Sequence, residues 1–225
     1  MCLNTNDPSE EASPAATRQV LLEAAVVVFA ERGFRAASVR EICQRAAVNV
    51  AAVNYHFGDK ESLYAEALTF ALHCAHAKYP ADLGLAPGAT PAERLYAFVH
   101  SFLLRIFDEG RAAWHGKMMS REMIEPTAAL DVLVQAEIRP MSEQLSRIIR
   151  DLLGRKAGEA EVRRCGMSVV SQCLFYEHCR PVIARLFPDM PFTAEGVERL
   201  ADHITRFSLA ALEQMAREKP SRSRK

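Results

Sequence analysis

Val48 to Tyr64 reads VNVAAVNYHFGDKESLY: small and apolar residues first, then Asn54, Tyr55 and His56 in a row, then Phe57 and the charged run Asp59-Lys60-Glu61. Asn49 is a good N-cap, Val53 and Phe57 lie four apart on one helical face, and Gly58-Asp59 stops one helix and restarts another. The stretch therefore predicts a short helix whose outer side carries an amide, a phenol and an imidazole. An enzyme pocket, a metal site and a nucleic-acid surface would each use such a trio.

The flanking sequence narrows the choice. From Thr17, Leu21, Ala24, Ala25, Val28 and Phe29 recur at helical spacing, and Gly33 follows as a stop. Ser38 with Glu41 three residues on predicts a capping box for a second, short helix that turns Val39, Ile42, Cys43 and Ala46 inward. Only Ala47 and Val48 separate it from the helix opened by Asn49, so the pair forms a helix-turn-helix unit. Leu63, Ala67, Phe70, Ala71 and Cys74 then stripe a longer fourth helix. It ends near Tyr79, where YPADLGLAPGATP, with three prolines, reads as a linker.

Beyond the linker, Thr90-Pro91-Ala92-Glu93 supplies an N-cap, a proline at the first helical position and an acid at N3, so a fifth helix runs to about Asp108. RAAWHGKMMSREMIE and the long segment from Pro126 to Gly154 read as further helices, the latter kinked or split at Pro140. Another, beginning EAEVRRCG, should end before Pro181. A last helix, Thr193 to about Arg217, carries Val197, Leu200, Ile204, Phe207, Leu209 and Leu212. No strand pattern, internal repeat or glycine-rich phosphate loop is visible. The expected fold is all-α: a helix-turn-helix domain over 14–79 and a larger helical domain over 90–217. The leader 1–13 and the basic tail 218–225 are expected to be disordered.

With 225 residues and 28 basic against 28 acidic side chains, the chain has no net charge, so any anionic partner must be met by a local patch. Six cysteines, with no C-x-x-C pair, point to reduced thiols in a cytoplasmic protein rather than to a zinc site. The run VLLEAAVVVFA is too short to cross a bilayer and contains Glu23. No cofactor, metal or membrane partner is expected.

A helix enters the major groove only if its exposed face is slim and its flanks can bond phosphates. Val50, Ala51 and Ala52 are small enough for close approach. Asn49, Asn54, Tyr55, His56 and Lys60 can donate to phosphates or read a base, and Ser38 and Val39 at the start of the second helix complete the candidate set. Among the basic residues of this region are Arg35, Arg40 and Arg45. From Ala24 to Tyr64, AAVVVFAERGFRAASVREIC and AAVNVAAVNYHFGDKESLY resemble the DNA-binding domain of the TetR/AcrR family of bacterial transcriptional regulators. The resemblance implies DNA contacts for Asn49, Tyr55, His56 and Lys60, with Val50, Ala51, Ala52 and Asn54 facing the groove. Ala47 stands where that family usually has glycine, which implies slight strain, and Asn54 stands where an aromatic residue is frequent.

Downstream, WHGKMMSREMIEPTAALD, IRPMSEQLSRIIRDLLG and SVVSQCLFYEHCRPVIARLFP resemble the C-terminal domain of the CerR (CecR/YbiH-like) subgroup. This implies a helical domain that dimerises through its last two helices and binds a small effector that alters DNA affinity. Candidate effector contacts are Trp114, Lys117, Met118, Arg121, Gln172 and Tyr176; candidate dimer contacts are Val169, Val170, Leu174, Val197, Leu200, Ile204 and Phe207. The expected partners are double-stranded DNA with a palindromic operator, a second copy of the chain, and a small molecule. Alternatives are a helical adaptor, or a helical enzyme using Glu122, His115 and His178, though no nucleophile motif or metal triad supports the latter. His73 with His76 offers only two metal ligands. Cys173 and Cys179, six apart on a helix, are too far from each other for a disulfide.

Overall fold

The computed structural model describes residues 13–108, 113–154, 157–190 and 192–218, and among them all regular structure is helical. The expectations for residues 1–12 and 219–225 lie outside the described residues. α1 spans Pro14–Ala36, with Ser13 Oγ capping it at Ala16 N–H. Its helical path breaks at Gly33, whose φ of 76° places it in the left-handed region; the Arg121 guanidinium lies so close that a Cβ there would meet it at 2.6 Å. α2 is Val39–Ala46, α3 Ala51–Phe57 and α4 Lys60–Lys78.

Ser38 Oγ accepts the Glu41 N–H, so the cap forms, but Glu41 turns to Arg32 at 3.4 Å and the reciprocal half of the expected box is missing. After α2 the chain reverses through Ala47 at φ 55°, ψ 38°. That conformation costs a residue with a Cβ about 1 kcal/mol, part of which glycine returns as unfolded-state entropy. Ala47→Gly is therefore expected to stabilise the protein by about 0.5 kcal/mol and to raise Tm by roughly 1–2 °C in a thermal melt.

α5, Pro91–Phe107, starts with the predicted box: Thr90 Oγ1 accepts from Glu93 N–H, and Glu93 accepts from Thr90 N–H at 2.7 Å. α6 covers Ala113–Ile124. Pro140 acts as expected, though by a gentler route than a break. α7 (Ala129–Leu133) passes through a π-turn, Val134–Ile138, into α8 (Arg139–Leu153). The wider turn absorbs the hydrogen bond that proline cannot donate. α9 is Glu159–His178, and α11, Ala194–Arg217, is capped by Thr193. Between them lies α10, Arg180–Leu186, a seven-residue helix absent from the sequence-based expectation, in which Pro181 terminates a helix; proline is tolerated in a first turn, and here it sits in one.

Two cores result. The second is built by α5, α8, α9 and α11 around Phe98, Leu103, Ile149, Val162, Val169, Val197 and Ile204. The first holds Leu21, Phe29, Ile42, Val53, Phe57, Leu63 and Leu68 from α1 to α4, but also Met118 of α6 and Ala129 and Leu133 of α7. Packing thus crosses the linker at 80–89. No disulfide forms among the described cysteines; burial pushes the Cys173 thiol up to about 12.

Candidate nucleic-acid interface

α3 is held by Val53 and Phe57, both buried against α1 and α4, so its opposite side must face outward. Asn49 Oδ1 accepts the Ala51 N–H at 2.8 Å, while the carbonyls of Asn49 and Val50 take the N–H groups of Ala52 and Val53. The first turn is therefore satisfied internally, and anion contact falls to side chains rather than to the free backbone donors of a helix start.

Asn49, Val50, Ala51 and Asn54 are exposed or half-exposed, and Tyr55 is 78% exposed. Its ring meets His56 edge to face at 4.8 Å, which stiffens the pair without hiding the phenol. Ser38 is exposed at the head of α2. Val39, as its inward place in the helical pattern requires, and Ala52 are half-buried and lean on the first core, where an apolar side chain gains more than at the rim. Lys60 is half-buried, its Nζ 4.7 Å from the centre of the Phe34 ring. Arg35 pairs with Glu125 at 3.6 Å, whereas Arg40, Arg45 and Lys60 have no ion-pair partner among the described residues. Three uncompensated cations therefore remain on or beside the helix-turn-helix.

A network behind this surface, invisible in the sequence, joins it to α6. Phe34 packs on Tyr64, ring centres 5.0 Å apart, and Tyr64 donates a 2.7 Å hydrogen bond to buried Glu122. Glu122 also accepts from Thr127 N–H at 3.0 Å, and Arg121 donates to the Glu31 carbonyl of α1 at 3.1 Å. Glu122 is thus occupied by structural hydrogen bonds.

The six candidate effector contacts have different immediate surroundings, although Ser120 Oγ of α6 donates to Glu177 of α9 at 3.2 Å. Met118 is fully buried in the first core, Trp114 leans on that core, Lys117 is exposed, and Arg121 braces α1. Gln172 donates to Ser208 Oγ at 3.1 Å, and Tyr176 lines a cleft with Met190, Phe192 and His203. The face of α6 expected to wall a pocket packs on the DNA-binding helices instead. A separate cleft of about 460 Å³ opens between α5, α8 and α9, lined by Phe98, Met141, Leu145, Val170 and Leu174.

The candidate dimer contacts also divide between buried and exposed positions. Val169, Val197, Leu200 and Ile204 are buried in the protomer's own second core, and Val170 and Leu174 pack on it and line the cleft. Phe207 is 62% exposed; Met167 and Phe175 of α9 are exposed as well. Helices that touch both a core and a partner carry two apolar faces, and periodicity alone finds only the stronger one. No group of three or more potential ligands is placed to hold a metal among the described residues; His76 instead faces Glu137 at 3.2 Å.

The helical fold of the described residues and a surface-mounted helix-turn-helix with unpaired cations beside it fit a DNA-binding regulator. Residues 21–67 match the family "Bacterial regulatory proteins, tetR family", and residues 91–212 match the family "HTH-type transcriptional dual regulator CecR, C-terminal domain". The chain is 30% identical over 174 residues to the HTH-type transcriptional dual regulator CecR of Shigella flexneri, a match that spans 70% of this chain and 74% of that protein. It is 33% identical over 96 residues to the HTH-type transcriptional repressor KstR2 of Mycolicibacterium smegmatis, 42% of this chain and 46% of that one. Its fold is similar to the TetR family transcriptional regulator PfmR from Thermus thermophilus, with a TM-score of 0.59 at 22% identity over 85% of this chain and 95% of that one. It is similar too to the hemolysin II transcriptional regulator HlyIIR, with 0.56 at 23% over 86% and 99%.

The chain belongs to the TetR family of bacterial transcriptional regulators and carries a CecR-type C-terminal domain. It is a DNA-binding regulator of a family that is not enzymatic. Among the described residues no helix is long and apolar enough to cross a membrane.

Proposed function

We propose that the protein is a cytoplasmic homodimer that binds a palindromic operator through α3 and represses until a small molecule weakens the complex. The observation that carries this reading is the slim exposed face of α3, with Tyr55 projecting from it and Arg40, Arg45 and Lys60 beside it, without an ion-pair partner among the described residues. One seven-residue helix reads too few base pairs for selectivity; two, held about 34–36 Å apart, read both halves of a palindrome. Phe207, Met167 and Phe175 offer the apolar face for the second copy. The cleft between α5, α8 and α9 has the size and lining of a small-molecule site, and α6, bonded to both α1 and α4, connects the two ends. A ligand that prefers the dimer geometry unfit for DNA lowers operator affinity by the same coupling energy.

The test is a salt titration of operator binding, using a duplex selected from a random pool. Lys60→Ala is expected to weaken binding to selected and random duplexes alike and to flatten the log–log salt slope by about one unit. An Asn54 substitution should instead change which bases are preferred. Wild-type protein that ignores every duplex at low salt would refute the reading.

A further inference from the structure

Where α4, α5, α6 and the π-turn meet, a positive charge is buried without a counter-ion among the described residues. Arg105 is 2% exposed, on the same side of α5 as Phe98 and Phe102, and stacks over the Phe102 ring at 5.6 Å. One guanidinium nitrogen reaches only the weakly accepting Met141 Sδ at 3.4 Å; Nη1 has no acceptor. No carboxylate among the described residues forms an ion pair with it. Two imidazoles share this region. His115, 8% exposed, has an unpartnered Nδ1, and His76 faces Glu137 through Nδ1 but leaves a buried Nε2 unpartnered. Burial first, and Arg105 after it, depresses both imidazoles, so the three groups lie within electrostatic reach of one another.

A guanidinium in such a place is costly unless an anion joins it. Met141, which touches Arg105, also lines the largely apolar cleft between α5, α8 and α9, so Arg105 lies directly behind that wall, while Arg163 lines the cleft from α9. We infer that Arg105, with His76 and His115 beside it, receives the carboxylate of an amphipathic monocarboxylic acid whose apolar body fills that cleft. One permanent cation matches one negative charge, and a planar fork matches a carboxylate. A phosphate dianion would bring a second negative charge close to Glu137, and an inorganic anion would leave the apolar walls unused. The inference rests on the effector reading above and names the chemical class of that effector.

Full-length protein is titrated by calorimetry with octanoate and 4-phenylbutanoate and, in parallel, with their uncharged amides. At least one acid is expected to bind saturably and about 30-fold or more tighter than its amide. Arg105→Met, which keeps an unbranched apolar chain, is expected to lose that acid by about 100-fold and to melt at a higher temperature without ligand. Acid and amide binding equally, neither acid binding, or an Arg105→Met variant that is destabilised yet binds the acid as before would overturn the assignment. Arg163→Ala, which removes the cation that lines the cleft, is expected to leave acid binding unchanged, and loss of the acid in that variant would overturn the assignment; should Arg105→Met fail to fold, this variant and the acid–amide comparison decide together. Operator binding without any response to the acids refutes the receptor and leaves DNA recognition standing; an acid that binds but never weakens the operator complex refutes effector release and leaves the receptor standing.

Discussion

Glu122→Ala is expected to destabilise the protein by about 3 kcal/mol, seen as a lower urea midpoint at unchanged slope. Glu122 is 1% exposed and accepts three donors: Tyr64 Oη at 2.7 Å, Thr127 N–H at 3.0 Å and Thr127 Oγ1 at 3.2 Å. Alanine strands the Tyr64 hydroxyl in a dry core and leaves a cavity where α4, α6 and the turn before α7 join. Burial and the neighbouring carboxylate together push the Tyr64 phenol far above its ordinary range, so it stays a donor at every working pH. Glu122→Gln keeps the shape and one carbonyl, and its cost should be nearer about 1 kcal/mol. If both variants cost the same few tenths, the bond does not hold α4 to α6. Because Tyr64 also supports Phe34, on which Lys60 rests, the alanine variant should blunt the response of operator affinity to effector as well.

Acidification from pH 7 to pH 5 is expected to remove about 2 kcal/mol through His115 alone. Burial, aided by Arg105 and His76, holds its imidazole down at about 3, against an ordinary value of 6.5. Above pH 6.5 the group is neutral whether the chain is folded or not, and stability does not depend on it. Between pH 6.5 and 3 the unfolded chain takes up a proton that the folded chain refuses, so stability falls as pH falls. His76 and His100 are lowered as well and steepen the same limb, each primarily through burial. Urea midpoints at pH 7 and pH 5 for wild type and His115→Leu isolate the contribution. A variant with the full acid sensitivity of the wild type would show that His115 is not the group refused.

Local chemistry was legible where a few neighbouring residues decide it. Thr90 and Glu93 close their box, Pro140 is absorbed by a widened turn, and Val53 and Phe57 turn the far side of α3 outward as their spacing required. What failed depended on which surface a residue meets. Val197, Leu200 and Ile204 repeat as an apolar stripe whether the stripe packs on its own protomer or on another, and only α5 and α8 lying against it decide the matter. Met118, Arg121 and Gln172 form a plausible group because charge and sulfur alternate along two helices, but Met118 enters the first core, Arg121 bonds α1 and Gln172 bonds Ser208. Arg105 escaped notice although its signal was present: a cation seven residues after Phe98, in the apolar stripe of an otherwise conventional helix. Glu122 stood out for the wrong reason, since a buried acid and a catalytic acid look alike until Tyr64, far away in sequence, is placed beside it.

The presence of Met118, Ala129 and Leu133 among the side chains of the first four helices has a bearing on protein engineering. A reader module cut at the proline-rich hinge and transplanted onto a foreign sensor would carry an open wound where Met118, Ala129 and Leu133 had completed its core. Rewiring this regulator to a new signal therefore calls for a graft that keeps α6 and α7 with the head and exchanges only what lies beyond them.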